Sequence, residues 1–238
     1  KEHSSLAQAV ALLGEMMHLL FIMFSSKETT EQVMALGLME RLFYNSEPLD
    51  RLPKLLSRWT PGTSTREYMC DLAEICYTTL KLLETNAKAC QNVAVDKHDT
   101  VAKIKISAAQ FDVSAYFARR IVSNQTVVAY THLLSQYDVN AAVVNHRIMA
   151  FFRRLCNHKI SLGEDFSGGG PKNPLAAKVV TFEPILYNVQ MLTVLSNILN
   201  DSSIRKDMDY ADLLQFASNL VFKFATAAKA NRMLFAEA

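Results

Sequence analysis

The sequence lacks the features that mark membrane-spanning and disordered proteins. It holds only 7 Gly and 6 Pro in 238 residues, with 50% hydrophobic and 20% charged residues, which is a globular composition. No run of 18 or more uncharged apolar residues is present, because His18 and Lys27 bracket the apolar run from Leu19 to Phe24. The sequence therefore predicts no membrane span and no membrane partner.

Cysteine is also scarce, and its spacing fits neither a disulfide framework nor a zinc site. The four cysteines, Cys70, Cys76, Cys90 and Cys156, lie on apolar periodic segments without a C-x-x-C pair. Reduced, buried thiols are the better interpretation. This predicts a cytosolic or nuclear compartment.

No arrangement of residues that carries chemistry is visible. A nucleophile needs an adjacent base, and a phosphate cradle needs a glycine-rich turn that opens a helix after a strand. Gly168-Gly169-Gly170 is followed by Pro171 instead. The six histidines contain no pair three or four residues apart with a nearby Cys or acid, which a zinc site on a helix would need. We expect no enzyme activity, no cofactor and no metal.

What the sequence does contain is helical periodicity through most of its length. Apolar residues recur in steps of three and four, and turn residues separate the periodic stretches, so we expect eight to ten helices. The predicted segments are about 6–24, 25–44, 49–58, 64–89, 112–122, 124–137, 140–160, 182–199 and 210–235. Ser25 with Glu28 and Ser64 with Glu67 have the capping-box pattern.

Helices of this length joined by short links are typical of a HEAT- or armadillo-like α-solenoid, and a globular bundle is the alternative. We therefore predict an all-α single repeat domain over residues 1–238, with flexible loops near 91–110 and 162–180. Because the chain begins at Lys1 inside an amphipathic pattern, we expect it to be a fragment of a larger protein.

The net charge is only +2, so any nucleic-acid interface has to rest on local clusters of cations. One such cluster surrounds the only tryptophan, Trp59, and a second lies along the helix predicted over 140–160. Several cations on one face can bind a phosphate backbone, whereas a solvated helix face and a tryptophan that anchors two helices are the alternatives. The candidate DNA-binding residues are Arg51, Lys54, Arg58, Arg147, Arg154 and Lys159.

Several segments resemble those of the Timeless family in order and spacing. The first is the run Leu55–Leu72, where apolar, basic and aromatic residues lead through Pro-Gly to a tyrosine, Asp-Leu and a long helix. The later ones are Asn124–Tyr137, Val144-Asn145-His146 with its Phe-Phe-Arg-Arg continuation, Phe182–Leu186, Tyr210–Leu214 and Phe222–Phe224. The resemblance covers most of the chain and is weakest at 85–110 and 160–180.

The resemblance implies the middle to C-terminal part of an α-solenoid, in a nuclear, non-enzymatic replisome scaffold. Family members pair with Tipin in the fork protection complex, contact the MCM helicase and parental duplex DNA, and support fork stability, fork pausing, checkpoint signalling and cohesion. The alternatives are a circadian-clock Timeless-type protein that binds Period, or a generic helical-repeat scaffold. The family has no short motif that fixes its contacts.

A partner surface is expected on the last helices, because the end of a solenoid has to be covered by polar residues or by another chain. The candidate partner-binding residues are Leu220, Phe224 and Leu234. Ordinary packing between helices is the alternative interpretation for each of them.

Overall fold

The computed structural model describes residues 2–44, 48–91, 111–162, 178–231 and 233. The helices are α1 (Glu2–Ser25), α2 (Thr29–Met39), α3 (Pro48–Arg58), α4 (Arg66–Gln91), α5 (Val113–Tyr116), α6 (Asn124–Leu134), α7 (Ala142–Asn157), α8 (Val189–Asn200) and α9 (Ala211–Ala230). The π-helical turns Glu40–Tyr44 and Phe117–Ile121 continue α2 and α5, and 3₁₀ turns cover Glu183–Leu186 and Met208–Tyr210.

The described part of the chain is almost entirely helical, which is consistent with an α-solenoid. The exception is a hairpin in which strand β1 (Lys159–Leu162) pairs antiparallel with strand β2 (Lys178–Thr181), with Lys159 opposite Thr181. The helix predicted over 140–160 therefore ends at Asn157. The predicted loops near 91–110 and 162–180 lie outside the described residues, apart from Gln91 at the end of α4, Leu162 in β1 and the residues of β2.

The chain divides into two compact units, Lys1–Leu133 and Leu134–Ala238. The expectation of one continuous repeat domain stays a prediction.

In the first unit α1 lies against α2 and α4. Its buried face includes Val10, Met17 and Leu20. The two helices lie close together at Gly14, where a Cβ would be in ordinary van der Waals contact with Cγ1 of Ile75 at 3.7 Å. The apolar periodicity of the sequence thus selects the packed faces of both helices.

Helix α3 continues through Pro53, although a proline inside a helix often kinks or breaks it. Proline has no N–H, so the carbonyl of Leu49, four residues earlier, lacks its helical donor. The hydroxyl of Tyr116 donates to this carbonyl at 2.7 Å. The bond joins α5 to α3 within the first unit.

The predicted capping boxes are wrong in detail. At α2 the N-cap residue is Glu28, which makes no side-chain cap bond, and Oγ of Ser26 accepts the N–H of Glu28 at 3.2 Å. At α4 the N-cap residue is Thr65, one residue after Ser64. The hydroxyl of Thr65 accepts the N–H of Tyr68 at 3.3 Å. The position of a cap depends on where the preceding turn ends, which the residue pattern alone does not determine.

The second unit is built around α7, α8 and α9. Its core includes Ile148, Phe152, Leu195 and Ala217, none of which is measurably exposed. The rings of Phe152 and Phe216 stack with their centroids 6.2 Å apart. This packing holds α7 against α9 and fixes which side of each helix faces solvent.

One prediction from the sequence was too strong. The segment Ser5–Ser25 of α1 has a mean hydropathy of 1.7 and is long and apolar enough to cross a membrane by length and composition, and 22% of it is buried. The core helix of a soluble protein satisfies the same criterion. The expectation of no membrane partner therefore stays a prediction.

Candidate nucleic-acid and partner surfaces

Three candidate cations share one exposed face of α3. Arg51, Lys54 and Arg58 are spaced by three and four residues, which returns them to nearly the same side of a helix, and all three are exposed. Leu52 and Leu56 are buried on another side of the same helix. The buried leucines therefore orient the cations toward solvent, where they can approach a phosphate backbone.

Trp59, which follows this face, is an anchor for the surrounding helices. Its side chain is buried, its indole N–H donates to the carbonyl of Thr65 at 3.3 Å, and its ring lies 5.4 Å from that of His132. A buried ring is not available to stack on a base. The structure thus supports the interpretation of Trp59 as a helix anchor.

The sequence analysis did not single out Arg119 and Arg120, in the π-helical turn after α5. Both are exposed, and Nη2 of Arg120 lies 3.5 Å from Oδ1 of Asp50 on α3. Two adjacent arginines in a short helix were a visible signal. Their proximity to α3 required the tertiary fold.

The second cluster is less continuous than predicted. Arg147 and Arg154 lie on α7 and are half-buried, whereas Lys159 is exposed and belongs to β1. Beside them, Arg153 forms an ion pair with Asp212 at 3.3 Å. Arg153 also donates a hydrogen bond to Asp212 in this pair. This bond, together with the positive charge of Arg153, lowers the pKa of Asp212. The candidate residues therefore belong to two elements instead of one helix face.

The candidate partner residues on α9 lie in the interior of the second unit. Leu220 is 2% and Phe224 is 8% exposed, and the ring of Phe224 meets that of Tyr187 edge-on at 5.4 Å. Leu234 lies outside the described residues. An exposed partner surface on this helix would use other side chains, and Phe222 is 72% exposed.

A buried carboxylate that the sequence analysis did not identify lies next to these residues. Oε1 of Glu183 accepts the hydroxyl of Tyr187 and Oε2 accepts the ammonium of Lys223, each at 2.6 Å. The bond to Glu183 raises the pKa of Lys223. Burial, and then the charge of Glu183, raises the pKa of the Cys156 thiol to about 12.

This cluster joins the 3₁₀ turn Glu183–Leu186 to α9 through the bond between Glu183 and Lys223. It is poorly suited to catalysis. Both oxygens of Glu183 already have partners, and a thiol with so high a pKa is not a nucleophile at neutral pH. Among the described residues, no three His, Cys, Asp or Glu side chains come together as metal ligands.

Comparison with known families gives one match. Residues 124–238 match the model of the TOF1-like, helical domain. The match covers slightly less than half of the chain and supports a Timeless/TOF1-like, replication-related family. No curated protein matches the chain.

Proposed function

We propose that the chain is the middle to C-terminal part of a Timeless-type α-solenoid, with a HEAT- or armadillo-like arrangement of its helices. It acts without catalysis as a nuclear scaffold of the replisome. The observation that carries this proposal is the match of residues 124–238 to the TOF1-like helical domain. The helical structure of the described residues supports it.

In this role the chain pairs with a Tipin-type small partner and associates with MCM helicase subunits and parental duplex DNA. The contact with DNA uses the exposed α3 face of Arg51, Lys54 and Arg58, and the second cluster of Arg147, Arg154 and Lys159. Cations of this kind release counterions from DNA when they bind phosphates, independently of base sequence. The scaffold therefore binds duplex DNA through the phosphate backbone of the DNA.

The DNA contact is tested by neutralising the α3 face. In the variant Arg51→Gln/Lys54→Gln/Arg58→Gln, we expect the negative slope of log affinity against log salt concentration to become less negative by about 3, because each phosphate contact contributes about −0.9. Fluorescence anisotropy with a labelled duplex measures the slope. The matched control is Lys27→Gln/Lys206→Gln/Lys229→Gln, which removes three exposed cations elsewhere. Equal affinities and slopes for the two variants would refute the α3 contact.

The second cluster is tested separately with Arg147→Gln/Arg154→Gln/Lys159→Gln. Because two of these side chains are half-buried, circular dichroism first has to show that the variant is folded. A folded variant with unchanged affinity for the duplex contradicts the contribution of this cluster.

The pairing is tested by size-exclusion chromatography of the chain with the Tipin homologue of the same organism, at micromolar concentration. A shared, shifted peak supports the fork-protection role. Separate peaks with the Tipin homologue, together with a shared peak with a Period homologue, would favour a clock-type protein instead.

A further inference from the structure

One threonine of this sequence stands directly before a proline. Of the six prolines, only Pro61 follows a serine or threonine, namely Thr60. Proline-directed serine/threonine kinases select this pair, because proline has no N–H that would be left unsatisfied in their apolar pocket. Thr60-Pro61 is therefore the one position in these 238 residues that meets the minimal requirement of such a kinase.

The fold presents this pair to solvent. Helix α3 ends at Arg58 and α4 begins at Arg66, and residues 60–63 between them are all exposed. Trp59 is buried, so the chain leaves the core directly before Thr60. The hydroxyl of Thr60 is thus within reach of an enzyme.

The exposure of this turn does not depend on the length of the helical array. In the proposed solenoid each repeat contacts its neighbours through its helices, whereas the links between consecutive helices lie at the edges. Further repeats stack against the first or the last helices of the array. Thr60 lies in the link between α3 and α4 and stays exposed in a longer solenoid.

The turn is closed by few and long hydrogen bonds. Gly62 has a φ of 88°, as the third residue of a type II turn requires. The N–H groups of Thr63 and Ser64 both donate to the carbonyl of Thr60 at 3.3 Å, beyond the usual range of roughly 2.7–3.2 Å. A kinase binds its substrate in an extended form, and a turn closed in this way can open locally while the helices on both sides stay folded.

Thr60 lies at the end of the cationic face of α3. Arg58 is two residues before it, so their Cα atoms are at most about 7.6 Å apart. This is less than the Debye length of about 10 Å at about 0.1 M salt. Lys54 lies one helical turn before Arg58, and both side chains are exposed. A charge added at Thr60 therefore acts on the cations that the proposed DNA contact uses.

We propose that Thr60 is a phosphorylation site for a proline-directed kinase, and that its phosphate weakens the binding of duplex DNA to the α3 face. The effect on DNA rests on the proposed function. The modification of Thr60 does not depend on it.

The modification is a phosphoryl transfer from ATP. Oγ1 of Thr60 forms a bond to the γ-phosphorus, and the bond from this phosphorus to the oxygen shared with the β-phosphate breaks. The hydroxyl proton passes to the catalytic base of the kinase, and ADP leaves. The phosphothreonine carries a charge of about −1.5 to −2 at pH 7, which offsets up to two of the three positive charges of the α3 face and repels the phosphates of DNA.

The modification is tested with ATP and a purified mitogen-activated protein kinase, which is a proline-directed enzyme. Mass spectrometry of the folded chain should show one added phosphate, and fragmentation should place it on Thr60. A synthetic peptide of residues 54–68 is treated in parallel. A folded chain that stays unmodified overturns the proposal, and the peptide then shows whether the fold or the local sequence is the reason.

Three variants test the position of the phosphate. Thr60→Val removes the hydroxyl with little change in shape, Pro61→Ala removes the residue that the kinase selects, and both should accept no phosphate. The matched control is Thr63→Val, which changes an exposed threonine of the same turn that serine follows, and it should still accept one phosphate. Circular dichroism shows that each variant is folded. A phosphate retained by Thr60→Val would contradict the proposal.

The effect on DNA is measured by fluorescence anisotropy with a labelled duplex. At low salt the phosphorylated chain should bind at least about fivefold more weakly than the unmodified chain, and the difference should shrink as added salt screens the charges. In Arg51→Gln/Lys54→Gln/Arg58→Gln, phosphorylation should change the affinity less, because the cations that it offsets are absent.

The outcomes separate the modification from its effect on DNA. A fully phosphorylated chain that binds the duplex as tightly as the unmodified chain would overturn the regulatory effect. Failure of the unmodified chain to bind the duplex would instead refute the proposed DNA contact, while mass spectrometry decides the modification of Thr60 independently.

Discussion

At the residue scale, Pro53 and Tyr116 form a complementary pair. The proline removes the N–H that would bond to the Leu49 carbonyl, and the Tyr116 hydroxyl replaces it at 2.7 Å. Burial raises the pKa of Tyr116 well above its ordinary range, so the hydroxyl keeps its proton. A residue that weakens one helix in isolation is thus compensated by a donor from another.

This pairing predicts the effect of Tyr116→Phe. The substitution leaves the Leu49 carbonyl without its donor, and we expect the free energy of unfolding to fall by about 1–3 kcal/mol. Urea titration followed by Trp59 fluorescence measures it, because Trp59 lies in the same unit.

A double-mutant cycle separates the hydrogen bond from simple packing loss. In the Pro53→Ala background the alanine N–H can reach the Leu49 carbonyl, so Tyr116→Phe should destabilise the chain less than it does beside proline. The same loss in both backgrounds would contradict the pairing. Tyr68→Phe serves as a control, since the Tyr68 hydroxyl has no bond to any described residue.

Two glycines predict changes of opposite sign. A Cβ at Gly37, inside α2, would meet no atom within 4 Å, so Gly37→Ala should stabilise the chain by roughly 0.5–1 kcal/mol. Gly62 follows Pro61 in a tight turn with a φ of 88°, where alanine is strained, and Gly62→Ala should destabilise by roughly 1–2 kcal/mol. Thermal unfolding of the pair measures both, and shifts in the same direction would contradict the backbone argument.

At the element scale, side-chain hydrogen bonds hold the turns of the second unit against its helices. Glu183, in the 3₁₀ turn before α8, bonds to Lys223 on α9. Asp201, just after α8, accepts the hydroxyl of Tyr137 at 2.8 Å and the N–H of Ser203 at 2.8 Å. Burial, and then the bond to Asp201, raises the pKa of Tyr137 to about 12.

The contacts of Asp201 predict a dependence of stability on pH. The bonds from Ser203, and then the bond from Tyr137, hold the pKa of Asp201 below its ordinary 3.8. Because the folded pKa is the lower one, the stabilisation is complete above the unfolded value and is lost as pH falls through the folded value. We expect Asp201→Asn to destabilise the chain at neutral pH and to lose this effect below about pH 4.

Circular dichroism is the appropriate measurement, since Trp59 does not report on the second unit. Urea unfolding gives the difference in the free energy of unfolding between each variant and the unmodified chain. For Asp201→Asn this difference should shrink between neutral and acidic pH. For Asp138→Asn, which changes an exposed neighbour, no difference is expected. A difference that stays constant down to the lowest pH would mean that the carboxylate contacts do not stabilise the fold.

The sequence predicted the helices better than their surroundings. Steps of three and four located α1, α4, α6 and α9, because burial of one face imposes that period. They did not reveal the hairpin, since β1 follows α7 directly and contains only four residues. Nor could they separate buried Leu220 from exposed Leu12, because an inner stripe and an outer stripe have the same spacing.

At the scale of the whole molecule, the charges of the candidate sites are local. The whole chain has a net charge of only +2, yet Arg51, Lys54 and Arg58 lie together on one exposed face of α3 in the first unit. These cations were readable from the sequence. Their orientation toward solvent required the burial of Leu52 and Leu56 on another side of the helix.

The division into two units predicts that damage to one leaves the other intact. Tyr116→Phe should accelerate amide hydrogen exchange in α3 and α5, whereas exchange in α8 and α9 stays at the rate of the unmodified chain. Exchange measured by mass spectrometry on peptides from the two units tests this. Equal acceleration in both would show that residues 1–133 and 134–238 unfold together.

The π-helical turn Phe117–Ile121 has a consequence for comparing this chain with its relatives. The N–H of Val122 bonds to the carbonyl of Phe117 five residues earlier, at 3.0 Å, so the turn holds one residue more than an α-helical turn. Deleting one residue here would restore α-helical geometry without displacing Tyr116 or Ser123, whose hydroxyl accepts the N–H of Thr126 at 3.1 Å at the start of α6. We therefore expect homologous chains that differ in length by one residue here to have their alignment gap at this turn.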